Sequence, residues 1–154
     1  MKFSEIDEGR RLWTIPAARA KNGRAHAVPL SEQAWRVLTS VPRIAGCDYV
    51  FTLDGRVPVN AWGRVKTRLC AKAGIDPANF RLHDLRRSAV VGLQSLGVPM
   101  EVIARVLNHT VRGPIRAYAV HDYRDETAHA LQRWANRVEE IAGGKQPVKV
   151  VKLR

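Results

Sequence analysis

The sequence predicts an α+β fold that is mainly helical, with a small β-hairpin or sheet on one edge. Apolar residues recur at helical spacing in several segments between residues 31 and 142, a period typical of amphipathic helices. Strand signals lie mainly on either side of the dipeptide Asn22-Gly23, which favours a tight type I′ hairpin. At 154 residues, the chain has the length of one domain that can bury a working core.

The N-terminal half is predicted to hold the strands and the first two helices. Residues 1–9 are short and polar and end in a turn, and segments 10–16 and 25–30 are predicted strands. Ser31 and Glu32 open a helix that stops before Pro42. Residues 49–51 predict a short strand and residues 54–55 a turn. A helix from about residue 60 ends at Gly74 and presents four apolar residues at helical spacing: Trp62, Val65, Leu69 and Cys70.

Three more helices are predicted in the C-terminal half. The first covers residues 83–96, with a core stripe of Leu85, Ala89, Leu93 and Leu96. Gly97 ends it and Pro99 begins the second, whose inner face is Ile103, Val106 and Leu107. The third covers about residues 124–142, with an apolar stripe of Ala128, Leu131, Trp134, Val138 and Ile141. The predicted domain is therefore residues 1–143, followed by a basic tail at residues 144–154.

The charge balance indicates a polyanionic partner. The formal net charge is +12, and domains this basic usually bind nucleic acid. A basic enzyme without such a partner and a protein that binds anionic membranes are the alternatives, but no block of lysines beside an apolar segment supports a membrane. Polar residues interrupt the most apolar stretch, residues 88–107, so it predicts two helices and no membrane span.

The remaining composition predicts a cytoplasmic protein. The first residues are too polar for a secretory signal. Cys47 and Cys70 have neither metal-ligand spacing nor a pairing pattern, so they are expected to be buried, reduced thiols. No internal repeat and no low-complexity segment is present.

Several residues with useful chemistry follow one another in a fixed order. The chain contains His83-Asp-Leu-Arg86, then Leu107-Asn-His109, then Tyr118, and the first pair shares one helix face. Singly, these residues have ordinary explanations, such as a solvated basic face, a helix cap or a half-buried aromatic side chain. Together they provide a nucleophilic hydroxyl, cations for a phosphate and proton carriers, which metal-free phosphoryl transfer requires.

This ordered set resembles the catalytic domain of the tyrosine recombinases, most closely the integrases of phages and genomic islands. The resemblance includes Trp13-Thr-Ile-Pro16 and Val28-Pro29-Leu30 on either side of a lysine at position 21, and it extends from about residue 3 to about residue 141. It implies the tyrosine-recombinase catalytic-domain fold. Tyr118 follows His109 by the nine residues typical of the family, which favours it over Tyr123 as nucleophile.

The resemblance also implies a role for each site residue. The catalytic set would be Lys21, His83, Arg86, His109 and Tyr118, and further DNA contacts are expected from Arg19, Arg24, His26, Arg87 and Arg112. Tyr118 would attack a DNA phosphodiester and form a 3′-phosphotyrosyl link. Arg86 and His109 would bind the phosphate, Lys21 would protonate the leaving 5′ oxygen, and His83 would assist proton movement at Tyr118. Neither a metal nor another cofactor is required.

The implied partner is double-stranded DNA at attachment sites, bound by a homo-oligomeric synaptic tetramer of the full-length protein. The family's first catalytic arginine and its N-terminal DNA-binding domain would lie upstream of Met1, so these residues are expected to be inactive or nearly so alone. Two other classes stay open. Residues 88–109 also resemble a non-catalytic helix-turn-helix module, which needs neither Lys21 nor Tyr118. A type IB topoisomerase shares the chemistry but relaxes DNA without synapsis.

Overall fold

The computed structural model describes residues 1–109 and 122–143. Within them it has a three-stranded antiparallel sheet and five α-helices, an α+β architecture that is mainly helical, as predicted. The elements are β1 Ile6–Asp7, β2 Leu12–Ile15, β3 His26–Pro29, α1 Glu32–Ser40, α2 Trp62–Ala73, α3 Leu82–Ser95, α4 Met100–Val106 and α5 Arg124–Ala142. Tyr118, Arg112 and the tail at residues 144–154 lie outside the described residues.

The sheet contains one strand that the sequence did not predict. Its order is β1-β2-β3, with Trp13 paired to Ile6 on one side and to Val28 on the other. β1 lies within residues 1–9, the short polar segment that ends in a predicted turn. The sequence does not predict this strand, because two residues are too few for a recognisable alternation. The predicted strand at residues 49–51 is wrong, since Tyr49 only forms an isolated bridge with Lys2.

The connection between β2 and β3 is not the tight hairpin that Asn22-Gly23 predicts. It covers residues 16–25 and begins with a short 3₁₀ turn at Ala17–Arg19. A type I′ turn needs positive φ at both central residues. Gly23 has a positive φ of +67°, but Asn22 does not have a positive φ. The result is a longer loop, called the β2–β3 loop below.

The helix ends follow the predicted signals. The Ser31 hydroxyl oxygen accepts a hydrogen bond of 3.2 Å from the Ala34 N–H at the start of α1, which satisfies one of the donors exposed at a helix N-terminus. Gly74 ends α2 with φ +65°, a left-handed conformation that glycine adopts without steric cost.

The core lies between α3, α4 and α5. Its buried side chains are Leu93, Val98, Val102, Ile103 and Ala130, and Trp134 and Tyr123 pack against them. The predicted stripes were partly wrong: Leu85, Val138 and Ile141 are exposed, as are Trp62, Val65 and Leu69 on α2. Periodicity identifies the apolar face of a helix, but burial also requires a partner element along its whole length. Within the described part of the chain, no helix is long and apolar enough to cross a membrane.

Helix α3 approaches α5 closely at Gly92. A Cβ atom added there would lie 2.0 Å from Cζ3 of Trp134, far inside van der Waals contact. The indole ring therefore packs directly against the bare backbone of α3. The absence of a side chain at Gly92 sets the separation of the two helices.

The first prediction concerns this contact. Gly92→Ala should destabilise the fold by about 1–3 kcal/mol, because the methyl group forces Trp134 or α3 to move in a packed core. Urea unfolding followed by tryptophan fluorescence measures the loss. Gly63→Ala on α2 is the matched control, since its Cβ would meet no atom within 4 Å; it should stabilise the fold by about 0.5–1 kcal/mol. Equal effects of the two substitutions would contradict this account.

Candidate active site

An open pocket of 1090 Å³ lies between the sheet, the β2–β3 loop, the start of α3 and the end of α4. Its lining includes six basic or imidazole side chains: Arg19, Lys21, His26, His83, Arg86 and His109. No acidic side chain is among the described lining residues. A concave surface with this charge attracts anions such as phosphate.

Arg86 extends from α3 to the end of α4. Its Nη2 atom donates a hydrogen bond of 2.6 Å to the Leu107 carbonyl and lies 3.3 Å from Nε2 of His109. Because a guanidinium group only donates, this second contact is favourable when Nε2 carries a lone pair and the His109 proton is on Nδ1. Arginine has five N–H donors in a planar fork, so Arg86 can contact an anion while it holds Leu107.

The end of α4 positions His109. Asn108 has φ +55°, its N–H donates to the Arg105 carbonyl at 3.0 Å, and the His109 N–H donates to the Ala104 carbonyl at 2.8 Å. These bonds form a Schellman motif, the common helix ending that needs a left-handed residue after the last turn. The motif directs His109 away from the helix axis and into the pocket beside Arg86.

Lys21 and His83 line the same pocket from two other elements. His83 lies in the first turn of α3, one helical turn before Arg86. Lys21 lies on the β2–β3 loop and is exposed. The neighbouring Asn22 donates from Nδ2 to Oδ1 of Asn108 at 2.9 Å. No local pattern predicts this bond, because the two residues are 86 positions apart.

The other residues predicted to contact DNA have different surroundings. Arg19 lines the pocket and pairs with Glu5. Arg24 is exposed on the β2–β3 loop but is not part of the lining. Arg87 does not line the pocket, and its Nη1 atom lies 3.6 Å from Oδ1 of Asp84, whereas Arg86 does line it.

His26 is half-buried on β3 and lines the pocket. Burial lowers the pKa of its imidazole, and a hydrogen bond to the backbone of Val106 opposes that shift only in part. A neutral histidine is therefore favoured at pH 7, and His26 joins the sheet to the last turn of α4. This contact indicates a packing role more than a contact with a phosphate.

Glu5, the residue directly before β1, forms an ion pair with Arg19. Burial alone would raise the pKa of this carboxyl, but hydrogen bonds from the Trp13 indole, the Lys2 backbone N–H and Arg19 outweigh it and hold the pKa below its ordinary value. The Glu5 side chain is only 9% exposed. Since Arg19 lies in the first half of the β2–β3 loop, the Glu5 carboxylate also restrains that part of the loop.

The described residues show no arrangement suited to a metal ion. Across residues 1–109 and 122–143, histidine, cysteine and acidic side chains form no group of three or more that could hold one. Cys47 and Cys70 are free thiols, and only Cys70 is fully buried.

The pocket brings arginine, lysine and histidine side chains from separate elements together, an arrangement whose charge suits a phosphate. The family model described as "Phage integrase family" matches residues 1–125. The chain therefore belongs to the phage integrase family, whose members are tyrosine recombinases that act on DNA in site-specific recombination.

Curated relatives agree with this family. The prophage integrase IntA of Escherichia coli (strain K12) is 31% identical over 93% of this chain and 35% of its own length. The integrase of Enterobacteria phage P4 is 28% identical over 90% of this chain and 35% of its own length. The putative protein IntB of Escherichia coli (strain K12) is 27% identical over 88% of this chain and 38% of its own length. The chain thus spans just over a third of each relative, and no solved structure matches it.

The second prediction concerns Glu5. Because its pKa is lowered in the folded state, its stabilisation is complete above the unfolded pKa of 4.5 and disappears as the pH falls through the folded pKa. Glu5→Gln should cost about 1–2 kcal/mol at pH 7, and the difference from the original chain should shrink below pH 4.5. Urea unfolding at pH 7, 5 and 3.5 measures it. Glu8→Gln, at an exposed pair with Arg43, is the control and should cost less at pH 7. A pH-independent loss in Glu5→Gln would contradict this prediction.

Proposed function

We propose that the chain is the catalytic part of a site-specific recombinase that cleaves and rejoins DNA strands through a 3′-phosphotyrosyl intermediate. One observation carries the proposal. Arg86 and His109, 23 residues apart in the sequence, lie 3.3 Å from each other in a pocket whose lining also contains Lys21 and His83. Three separate parts of the chain thus contribute cations and proton carriers to one place that suits a phosphate.

In the proposed cleavage step, the Tyr118 hydroxyl attacks a DNA phosphorus. The bond between phosphorus and the tyrosine oxygen forms as the bond to the 5′ oxygen breaks. His83 helps to remove the tyrosine proton, and Lys21 gives a proton to the leaving 5′ oxygen. A 5′ hydroxyl from another strand then attacks the phosphotyrosyl link and releases Tyr118. Because the link conserves the energy of the phosphodiester bond, no nucleotide is hydrolysed.

Arg86 and His109 would stabilise the charge that develops on the phosphate oxygens. Arginine suits this task because its planar fork matches two phosphate oxygens. Removal of one preorganised donor of this kind typically costs a factor of about 10²–10³ in rate. The family's additional arginine is not among these 154 residues, so we propose that they cleave DNA slowly or not at all by themselves. The full-length protein would act as a tetramer on two attachment sites.

A non-catalytic helix-turn-helix module is less well supported. In that reading the exposed face of α4 would lie in the major groove, and its buried Val102 and Ile103 are compatible with such a role. However, such a module has no need for Lys21 in the same pocket as Arg86. A topoisomerase would have the same pocket. The two classes differ in activity, because only a recombinase transfers a strand from one duplex to another.

The third prediction is covalent capture of DNA through Tyr118. The chain is extended upstream of Met1 with the matching region of the prophage integrase relative and incubated with a nicked suicide substrate carrying a cognate site. An adduct should form and resist denaturing electrophoresis. Tyr118→Phe should abolish it, because only the nucleophilic oxygen is lost. Lys21→Ala should slow capture, and a 5′-phosphorothiolate substrate should restore it, since sulfur leaves without a proton.

Two matched variants complete this test. Tyr123→Phe should retain the adduct, because the Tyr123 ring packs against the core. The centre of this ring also lies 5.6 Å from the guanidinium carbon of Arg105. Arg87→Ala should retain far more activity than Arg86→Ala, although both remove one positive charge from α3. Capture that persists in Tyr118→Phe and disappears in Tyr123→Phe would overturn the assignment of the nucleophile.

The fourth prediction is salt-sensitive, largely sequence-independent DNA binding by the 154-residue chain. If it neutralises about five phosphates, log K should fall with log salt at a slope of about −4 to −5. Fluorescence anisotropy of a labelled duplex at several salt concentrations measures the slope. Arg86→Ala should reduce its magnitude by about one. Arg36→Ala removes the same charge from a residue paired with Glu139 at 2.5 Å, away from the pocket, and should leave the slope unchanged. Tight binding that is indifferent to salt would contradict this prediction.

A further inference from the structure

The β2–β3 loop is joined to the end of α4 by one pair of amide side chains. Asn22 Nδ2 donates to Asn108 Oδ1 at 2.9 Å and approaches the Asn108 carbonyl at 3.5 Å. The Oδ1 atom of Asn22 also accepts a hydrogen bond of 3.2 Å from the Arg24 N–H. The Asn22 side chain thus forms hydrogen bonds both within its own loop and to the residue that follows the last turn of α4.

The backbone conformation alone does not require an asparagine at residue 108. The left-handed position after a helix is most often glycine, and asparagine is the second choice. Glycine would support the same Schellman motif without steric cost. What asparagine adds is a carbonyl oxygen on its side chain, and this oxygen accepts the bond from the β2–β3 loop.

The hydrogen bond between Asn22 and Asn108 lies next to three pocket residues and can therefore affect their positions. Asn22 directly follows Lys21, and consecutive Cα atoms are about 3.8 Å apart, so fixing Asn22 restricts the Lys21 backbone. Asn108 lies between Leu107, whose carbonyl accepts from Arg86, and His109, which contacts Arg86. The bond therefore joins the immediate neighbour of the lysine to the turn that holds the arginine and the histidine.

We propose that Asn108 is a positioning residue for Lys21. Through Asn22 it holds the β2–β3 loop at the pocket and keeps the Lys21 ammonium within reach of a phosphate held by Arg86 and His109. The consequence for catalysis rests on the proposed function, whereas the restraint on the loop does not. The bond is exposed to solvent, so its net effect on the loop equilibrium should be about two- to ten-fold.

The restraint is tested in the 154-residue chain without DNA. Asn108→Gly removes the acceptor and keeps the left-handed backbone, and Asn108→Asp keeps an oxygen that can accept from Asn22. Amide hydrogen exchange and ¹⁵N relaxation report on loop residues such as Ala20 and Gly23, whose N–H groups bond within the loop. Asn108→Gly should speed their exchange about two- to ten-fold, while the amide of His109 stays protected. Asn108→Asp should behave like the original chain.

Two outcomes of this measurement would overturn the proposal. Unchanged loop exchange in Asn108→Gly would show that the bond does not hold the loop. Equal loss of protection in the loop and at the end of α4 would show that Asn108 only supports the local fold. Asn22→Ala provides an independent variant from the other side of the bond, and it should loosen the loop without any change at α4.

The consequence for Lys21 is tested in the extended chain used for covalent capture. Asn108→Gly should slow capture about two- to ten-fold on an ordinary substrate and leave the rate on a 5′-phosphorothiolate substrate unchanged, because that leaving group needs no proton from Lys21. Equal slowing on both substrates would overturn the link to Lys21. If the parent chain forms no adduct at all, the proposed function fails, and hydrogen exchange alone decides whether Asn108 holds the loop.

Discussion

The packing of Trp134 on the bare backbone of Gly92 is the contact on which the pocket depends. It sets the distance between α3 and α5, and α3 carries His83 and Arg86. Helix α5 also packs against α1, α4 and β3, so it supports three of the elements that line the pocket: α3, α4 and β3. A shift of α3 by the width of one methyl group would move Arg86 relative to α4, because packed cores transmit displacement instead of absorbing it.

The second constraint is the way in which α4 ends. A helix leaves its last carbonyl groups without partners inside the helix, and here the Leu107 carbonyl accepts its hydrogen bond from Arg86. The same turn places His109 beside that guanidinium. An ordinary requirement of helix geometry thus brings Arg86 and His109 together, and no acidic side chain among the described lining residues would compete for Arg86 with the phosphate of the proposed function. The charge of the described lining therefore favours an anion over a cation.

Much of the fold was predictable because its signals are local. Ser31, Gly74, Gly97 and Gly143 mark helix ends in the sequence, and all five predicted helices exist within one or two residues of their expected bounds. The order of His83, Arg86 and His109 likewise predicts that these residues act together, and all three line one pocket, although their catalytic roles stay predictions. Burial was harder to predict, since Leu85 and Val138 lie on apolar faces that no described element covers completely.

The Asn22-Gly23 dipeptide shows why the remaining features could not be predicted. Local preference treats it as a hairpin turn, in which the asparagine contributes a backbone conformation. In the structure the Asn22 side chain matters more, because it bonds to Asn108 across 86 positions. A longer loop costs little additional closure entropy, so a single distant hydrogen bond can help to decide between a tight turn and an extended loop. Here the extended loop is the arrangement that brings Lys21 to the pocket, and a tight turn at Asn22-Gly23 would have left the β2–β3 loop without its contact to α4.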